Sequence, residues 1–291
     1  MTSIPPSGPD ARTRVCGVIG KPIHHSLSPA IHNAGYLVLG LNYTYVAFEV
    51  DDPAAAVRGM RGLGLAGLSV TIPHKTAVLP HVDALDDVAE KLGSVNTLYW
   101  KEGVLCGTST DGYGALRALE RAEISPLGKK VVFLGAGGVA RAIGFTLALE
   151  VLTRELVFLE GKAPQLAETL AGEITGKTRA RARAVVLHPD NLEVELRDAD
   201  LLIQCTPVGM TPHTGDSLVP QALLHPGMAV FDTVYTPRMT RLMREADAAG
   251  CPLAFGRDMF LHQAAIQFEL FTGHSAPLDV MDQALNRALD S

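Results

Sequence analysis

The stretch "VVFLGAGGVARAIG" at residues 131–144 runs an unbroken apolar tetrad into a glycine-rich turn and then into an apolar, alanine-rich segment. It reads as strand, turn and helix, with Gly135, Gly137 and Ala140 in a G-x-G-x-x-A arrangement. In that context the first glycine allows the tight turn, the second lets backbone approach a pyrophosphate, and the small Ala140 permits close helix–sheet packing. A helix N-terminus with free N–H groups and the positive end of its dipole suits an anion. The competing reading is that these glycines serve the turn alone.

Working outward, short apolar runs recur with helix-like stretches between them. A first series is "VCGVIG" (15–20), "YTYVAFEV" (43–50), "LAGLSVTI" (65–72) and "NTLYW" (96–100). In the third run Leu68, Val70 and Ile72 alternate as in a buried strand. The segments 28–39, 52–63 and 84–92 between them read as helices, the first with Ser28 as N-cap and Pro29 at N1. A second series is "KVVFLG" (130–135), "ELVFLE" (155–160), "RAVVLH" (183–188), "ADLLIQC" (199–205) and "MAVFDTV" (228–234). This alternation predicts βα units and largely parallel sheets. Two series, divided near a helix beginning about Asp111, predict two α/β domains, and the residues from "DMFLHQAAIQFELFTG" onward read as helices.

The totals exclude several classes of function. The chain has 291 residues, 47% of them hydrophobic, which is room for two cored domains. No apolar run approaches the ~18 residues of a spanning helix. The opening "MTSIPPSGPDART" has no basic and apolar signal-peptide pattern and reads as a disordered tail, so the expected location is the cytoplasm. The four cysteines are widely spaced with no C-x-x-C, and the ten histidines form no ligand pair at helical spacing, so neither a disulfide framework nor a metal is expected. A net charge of −6 without like-charge blocks argues against nucleic acid or an anionic membrane as partner and for a small molecule.

One puzzle remains in "GLSVTIPHKTAVLP" (67–80), where Lys75 arrives on a proline-set turn as a strand leaves the core. Singly, Lys75 reads as a surface lysine, Asp111 as a helix cap, Asn96 as a bend residue, and Ser26 and Ser28 as caps. In order, however, "GKPIHHSLSP", "SVTIPHK", "SVNTL", "STDG", "GAGGVARA", "CTPVGM", "FDTVYTP" and "MFLHQAA" resemble the shikimate dehydrogenases and their quinate/shikimate relatives, from about residue 15 to 275. That resemblance implies reversible nicotinamide-dependent oxidation of shikimate to 3-dehydroshikimate, with quinate to 3-dehydroquinate as a second reaction. It implies that Ser26 and Ser28 hold the substrate carboxylate and that Thr71 contacts the substrate. Lys75 and Asp111 become the catalytic pair, Asn96 and Asp111 bind ring hydroxyls, and Tyr235 and Gln263 complete the pocket. Gly135, Ala136, Gly137, Gly138 and Val139 would hold the pyrophosphate, with Thr206, Thr233 and Gly256 near the rest of the dinucleotide. A hydride leaving a carbinol carbon requires its oxygen to lose a proton, and a positioned lysine is a suitable shuttle.

The resemblance also implies the layout: a substrate-binding domain of residues 1–110 completed by helices 258–291, a Rossmann-type domain of 111–257, and "GRDM" (256–259) as a candidate hinge. His24, His25, His74 and His262 flank motifs and read as supporting residues. Many NADP-using members carry an "NRT" clamp where this chain has "LEGKAP" (159–164). Glu160 there can accept from a ribose 2′-OH and repel a 2′-phosphate, which favours NAD, while Lys162 leaves NADP as the alternative. Retention of Ser28 and Thr71 leans to shikimate over quinate. The other readings are a non-catalytic metabolite-sensing regulator of the same fold, and a different two-domain dehydrogenase such as a folate or aminoacyl-tRNA reductase, which "HSLSP" and "VTIPHK" do not fit. A monomer or homodimer is expected.

Overall fold

In this computed structural model residues 8–290 are described. They form two compact units, one of the described residues through Thr110 together with those from Gln263 onward, the other Asp111–His262.

The first unit contains β1 (Arg14–Gly20), α1 (Ser28–Val38), β2 (Tyr43–Glu49), α2 (Pro53–Leu63), β3 (Gly67–Val70), β4 (Ala84–Leu85), α3 (Asp87–Leu92), β5 (Thr97–Lys101) and β6 (Val104–Thr108). Its sheet order is β2-β1-β3-β5-β6-β4. The β2-β1-β3 half is parallel, but β5 runs antiparallel to both β3 and β6, so the expectation of a largely parallel sheet fails for this half. The reason is local. Glu102 and Gly103 take φ of 51° and 81° between the paired residues Lys101 and Val104, a two-residue turn whose twist suits a hairpin. Asp52 and Asp86 cap α2 and α3 by accepting the Ala55 and Ala89 N–H groups, and Gly64 and Gly93 end those helices in the left-handed conformation.

The second unit holds α4 (Asp111–Arg121), β7 (Lys130–Leu134), α5 (Gly138–Glu150), β8 (Glu155–Glu160), α6 (Pro164–Lys177), β9 (Ala182–Val186), α7 (Pro189–Leu196), β10 (Leu201–Gln204), β11 (Ala229–Asp232), α8 (Arg241–Ala248) and β12 (Leu253–Phe255). The sheet order is β12-β11-β10-β7-β8-β9, every pairing parallel. The chain winds outward from β7 through β8 to β9, then returns to β10 on the other side. That reversal makes the β7/β10 junction the crevice where open α/β sheets bind ligands, at the carboxyl ends of the strands. Val132, Leu134, Val157, Leu159, Leu202 and Val230 fill one face, while Phe133 and Phe158 stack at 4.6 Å on the other. α4 and α5 pack so closely that a Cβ on Gly112 would fall 1.9 Å from Thr146 Oγ1. The helix α9 (Gly256–Thr272) runs without a break past the division at residues 262 and 263, and α10 (Leu278–Leu289) follows it.

Residues 1–7 of the expected N-terminal tail lie outside the described residues. From Gly8 the chain is not a loose tail, because a turn is pinned on Asn42, whose Nδ2 donates to Asp10 (2.7 Å) and whose Oδ1 accepts from Thr13 Oγ1 (2.7 Å).

His32 on α1 is fully buried and stacked on Tyr45 at 4.2 Å, with Tyr36, Phe268 and Phe271 around it, and neither ring nitrogen has a hydrogen-bond partner among the described residues. Burial holds its pKa down at about 3. With the folded value below the unfolded one, stability is complete above pH ~6.5 and is lost as pH falls from there toward 3, at up to ~1.4 kcal/mol per pH unit. Denaturant unfolding between pH 7 and 5 should therefore show His32→Phe gaining on the wild type as the medium becomes acid. Parallel pH profiles for the two would refute this account.

Candidate active site

The first unit carries the residues expected on the substrate side, with Thr71 and Lys75 just beyond the carboxyl end of β3. The strand ends at Val70, and Ile72, expected to be its third buried residue, is 72% exposed. The chain turns there: Thr71 N–H donates to Ile19 C=O, and Lys21 N–H donates to Ile72 C=O, which lays the "HSLSP" loop beside the turn. His74 anchors it. Its side chain is buried, Nε2–H donates to Val50 C=O (2.8 Å), and its main-chain N–H and C=O pair with Thr71 and Val78. Lys75 follows, half-buried, and its carbonyl accepts the Val95 N–H at 2.9 Å. Asn96 is therefore held next to the Lys75 turn. Its Oδ1 accepts Thr110 N–H (2.9 Å) and Thr97 Oγ1 (2.7 Å), and its Nδ2 donates to Thr110 Oγ1 (3.0 Å). Gln263 Oε1, on α9, lies 3.5 Å from that Nδ2.

Ser28 is not the N-cap of α1. Leu27 occupies that place without a side-chain cap bond, so Ser28 is the first helical residue and Pro29 the second. Its hydroxyl is not used in capping. Ser26 is half-buried and its Oγ accepts Ser28 N–H (3.3 Å). Ser26, Ser28, Thr71, Lys75, Asn96 and Gln263 thus belong to one unit, whereas Asp111, the first residue of α4, and Tyr235 belong to the other.

In the second unit the β7–α5 turn separates two kinds of glycine. Gly135 has φ +94° and a Cβ there would meet Thr206 Cγ2 at 2.9 Å, so it is needed by the turn itself. Gly137 and Gly138 have negative φ, and a Cβ on either would meet nothing within 4 Å. The protein's own packing does not require them to be glycine. An exposed cradle at a helix N-terminus, with no side chain on either glycine, fits a dinucleotide pyrophosphate. Ala136 is buried and Val139 half-buried beside them.

Glu160, at the end of β8, stitches this turn to the next one. Its carboxylate accepts N–H groups from Ala136 (3.3 Å), Lys162 (2.8 Å) and Ala163 (3.3 Å). Partial burial pushes its pKa up, but these amides outweigh burial and hold it below the ordinary value, so it is an anion at neutral pH. The Lys162 side chain is exposed.

Thr206, Thr233 and Gly256 all have structural duties. Thr206 Oγ1 donates to Gln204 Oε1 (3.0 Å) and accepts Val208 N–H, while Thr233 Oγ1 donates to Gln204 C=O (2.9 Å). A Cβ on Gly256 would lie 2.3 Å from the Thr233 carbonyl oxygen. The hub, Gln204, escaped the sequence reading; its signal was a single amide closing the apolar run "LLIQC". Asp232, also overlooked, is buried and its pKa is pushed up to about 6 by desolvation. Its two oxygens accept Val234 N–H (3.0 Å) and Thr240 Oγ1 (2.6 Å), clamping both ends of the loop that carries Tyr235. The Tyr235 ring packs 5.4 Å from Phe260, and burial raises its hydroxyl pKa.

These contacts separate the glycines experimentally. Gly256→Ala must displace backbone and should lower the melting temperature by several degrees, whereas Gly138→Ala, at an open helical position, should melt within about a degree of wild type or slightly above. Equal melting temperatures for the two variants would contradict the packing described.

Comparison with known proteins bears on this arrangement. The shikimate dehydrogenase substrate binding domain matches residues 18–98, and the shikimate 5′-dehydrogenase C-terminal domain matches residues 256–285. The shikimate dehydrogenase (NADP(+)) of Methanopyrus kandleri is 48% identical over 280 residues, covering 95% of this chain and 96% of its own. Among solved structures, shikimate 5-dehydrogenase from Listeria monocytogenes in complex with shikimate and NAD superposes with a TM-score of 0.91 at 37% identity, covering 95% of this chain and 98% of that one. Quinate dehydrogenase from Corynebacterium glutamicum in complex with NAD gives 0.88 at 30% identity over 94% and 99%. Near-complete coverage of both chains at this identity places the chain in the shikimate dehydrogenase family.

Proposed function

We propose that this protein catalyses the reversible, nicotinamide-dependent oxidation of shikimate to 3-dehydroshikimate, with quinate as a second substrate oxidised to 3-dehydroquinate. The observation that carries this reading is the Val95–Lys75 main-chain hydrogen bond, which ties the turn bearing the half-buried Lys75 to the segment bearing Asn96, in a unit that also bears Ser26, Ser28, Thr71 and Gln263. Such a set of hydroxyls and amides suits a polyhydroxylated ring acid, which offers one carboxylate and several hydroxyls. Ser26 and Ser28 bind the carboxylate; Thr71, Asn96, Tyr235 and Gln263 read the ring. Lys75 takes the proton from the reacting hydroxyl and returns it in the reverse direction, with Asp111 as its partner in proton exchange. The dinucleotide, when bound, accepts or supplies the hydride. Gly135 to Val139 would hold its pyrophosphate, with Thr206, Thr233 and Gly256 lining the remainder. No observation favours the non-catalytic regulator.

The cofactor we assign is NAD. An anionic Glu160, held by three backbone amides at the end of β8, would repel a ribose 2′-phosphate bound nearby, and Lys162 alone does not replace an arginine clamp. The Methanopyrus relative is named for NADP(+), whereas the Listeria and Corynebacterium structures hold NAD. Unbridged cysteines fit a reducing compartment, and we place the enzyme in the cytoplasm.

One assay tests both parts: reduced-nicotinamide absorbance with shikimate and quinate, each against NAD and NADP. We expect shikimate with NAD to give the highest kcat/KM, and a clear preference for NADP would overturn the cofactor assignment. Lys75→Ala should lower kcat ~10²–10⁴-fold with a modest change in KM. Near-normal turnover in that variant would remove Lys75 from the chemistry.

A further inference from the structure

Behind Asn96 lies a chain of buried side chains whose hydrogen bonds all point one way. Tyr45 OH donates to Ser69 Oγ (2.6 Å), and Ser69 Oγ donates to Gln267 Oε1 (2.7 Å). Gln267 Nε2 donates to Thr97 Oγ1 (2.9 Å) and to the Asn96 main-chain carbonyl (3.2 Å), and Thr97 Oγ1 donates to Asn96 Oδ1 (2.7 Å). Every member is at most 5% exposed. Gln267 stands one helical turn beyond Gln263 on α9, so the two amides share a face, one touching the Asn96 side chain and the other lying behind it.

The direction of the chain is not arbitrary. A carbonyl can only accept, so the Asn96 main-chain oxygen obliges Gln267 to turn its NH₂ toward it and its Oε1 toward Ser69. With an Nε2 hydrogen directed at the Thr97 oxygen, the Thr97 proton is left to point at Asn96 Oδ1. That oxygen already accepts the Thr110 N–H (2.9 Å), so the amide is pinned from two sides with Nδ2 as its donor. Rotating it would set NH₂ against two donors, and leaving either unpaired in a buried site is costly.

We propose that Gln267 is a positioning residue for substrate recognition: through Thr97 it holds the Asn96 amide so that Nδ2, as a donor, meets a ring-hydroxyl oxygen of the substrate. This deepens the functional reading above and rests on it. A site built to bond a hydroxyl loses discrimination when its own polar group is free to turn away, so the loss should fall on the ring-hydroxyl contact and spare the dinucleotide.

Steady-state kinetics on Gln267→Met, Thr97→Val, their double variant and Thr97→Ser test the proposal, with melting temperatures recorded for each. We expect Gln267→Met and Thr97→Val each to raise the shikimate KM about tenfold, with kcat changed less and the KM for NAD unchanged. The double variant should be no worse than the poorer single, since both cut one chain. Thr97→Ser, which keeps the hydroxyl, should restore wild-type behaviour even if Gln267→Met fails to fold. For one of the shikimate analogues lacking a single ring hydroxyl the penalty should vanish. A shikimate KM within twofold of wild type in folded Thr97→Val, additive losses in the double variant, or an equal rise in the KM for NAD would overturn the proposal. Inactivity of the unmutated chain toward shikimate would instead sink the functional reading, and this proposal with it.

Discussion

Much of the substrate-side geometry hangs on one constraint: a strand that ends in a buried place must still satisfy its backbone. At the end of β3 the chain leaves the sheet with Thr71, and the groups it exposes are taken up by Ile19, by His74 and, through the Lys75 carbonyl, by Val95. The last of these fixes the main chain at Lys75. Because Val95 precedes Asn96 directly, the same bond that completes the backbone of the turn ties the segment bearing Asn96 to the turn bearing Lys75, the two residues proposed to read a ring hydroxyl and to move the proton. His74 adds rigidity by reaching across to Val50, so the turn bearing Lys75 is held at both its main chain and a side chain.

The dinucleotide side uses a different economy, in which absence of atoms matters more than their presence. Gly135 and Gly256 are small because neighbouring chain lies against them, whereas Gly137 and Gly138 face open space. Identical residue types thus serve opposite ends, and the packing around each decides which. Glu160 shows how a charge can be fixed without a cationic partner: three peptide N–H groups hold it ionised despite partial burial. A carboxylate so anchored cannot swing away at little cost, and the proposed preference for NAD over NADP rests on this.

Buried polar side chains form the second layer in both units. Gln204 gathers Thr206 and Thr233, Asp232 clamps the loop bearing Tyr235, and Gln267 orients the groups behind Asn96. In an apolar interior an unpaired polar group is costly, so these networks favour one arrangement of the residues they support.

The amino-acid order by itself determined what depends on neighbours along the chain. Period-two apolar runs located most strands, the G-x-G-x-x-A turn located the crevice of the second unit, and the ordered motifs brought Lys75, Asn96 and Asp111 into consideration together. It missed β6 and the antiparallel half of the first sheet, although "KEGV" carried a hairpin signal, and it missed the short strands β4, placed inside a helix expected over 84–92, and β12, because two or three residues show no period and pairing with distant segments defines them. It placed Ser28 at a cap and Ile72 in a strand, since propensity cannot say where tertiary contact stops an element. Only the folded chain decided that Gln267 serves Thr97 from 170 positions away, or that Gly137 and Gly138 face open space while Gly256 meets the Thr233 carbonyl. Such facts arise where distant segments converge, and no window along the sequence contains both partners.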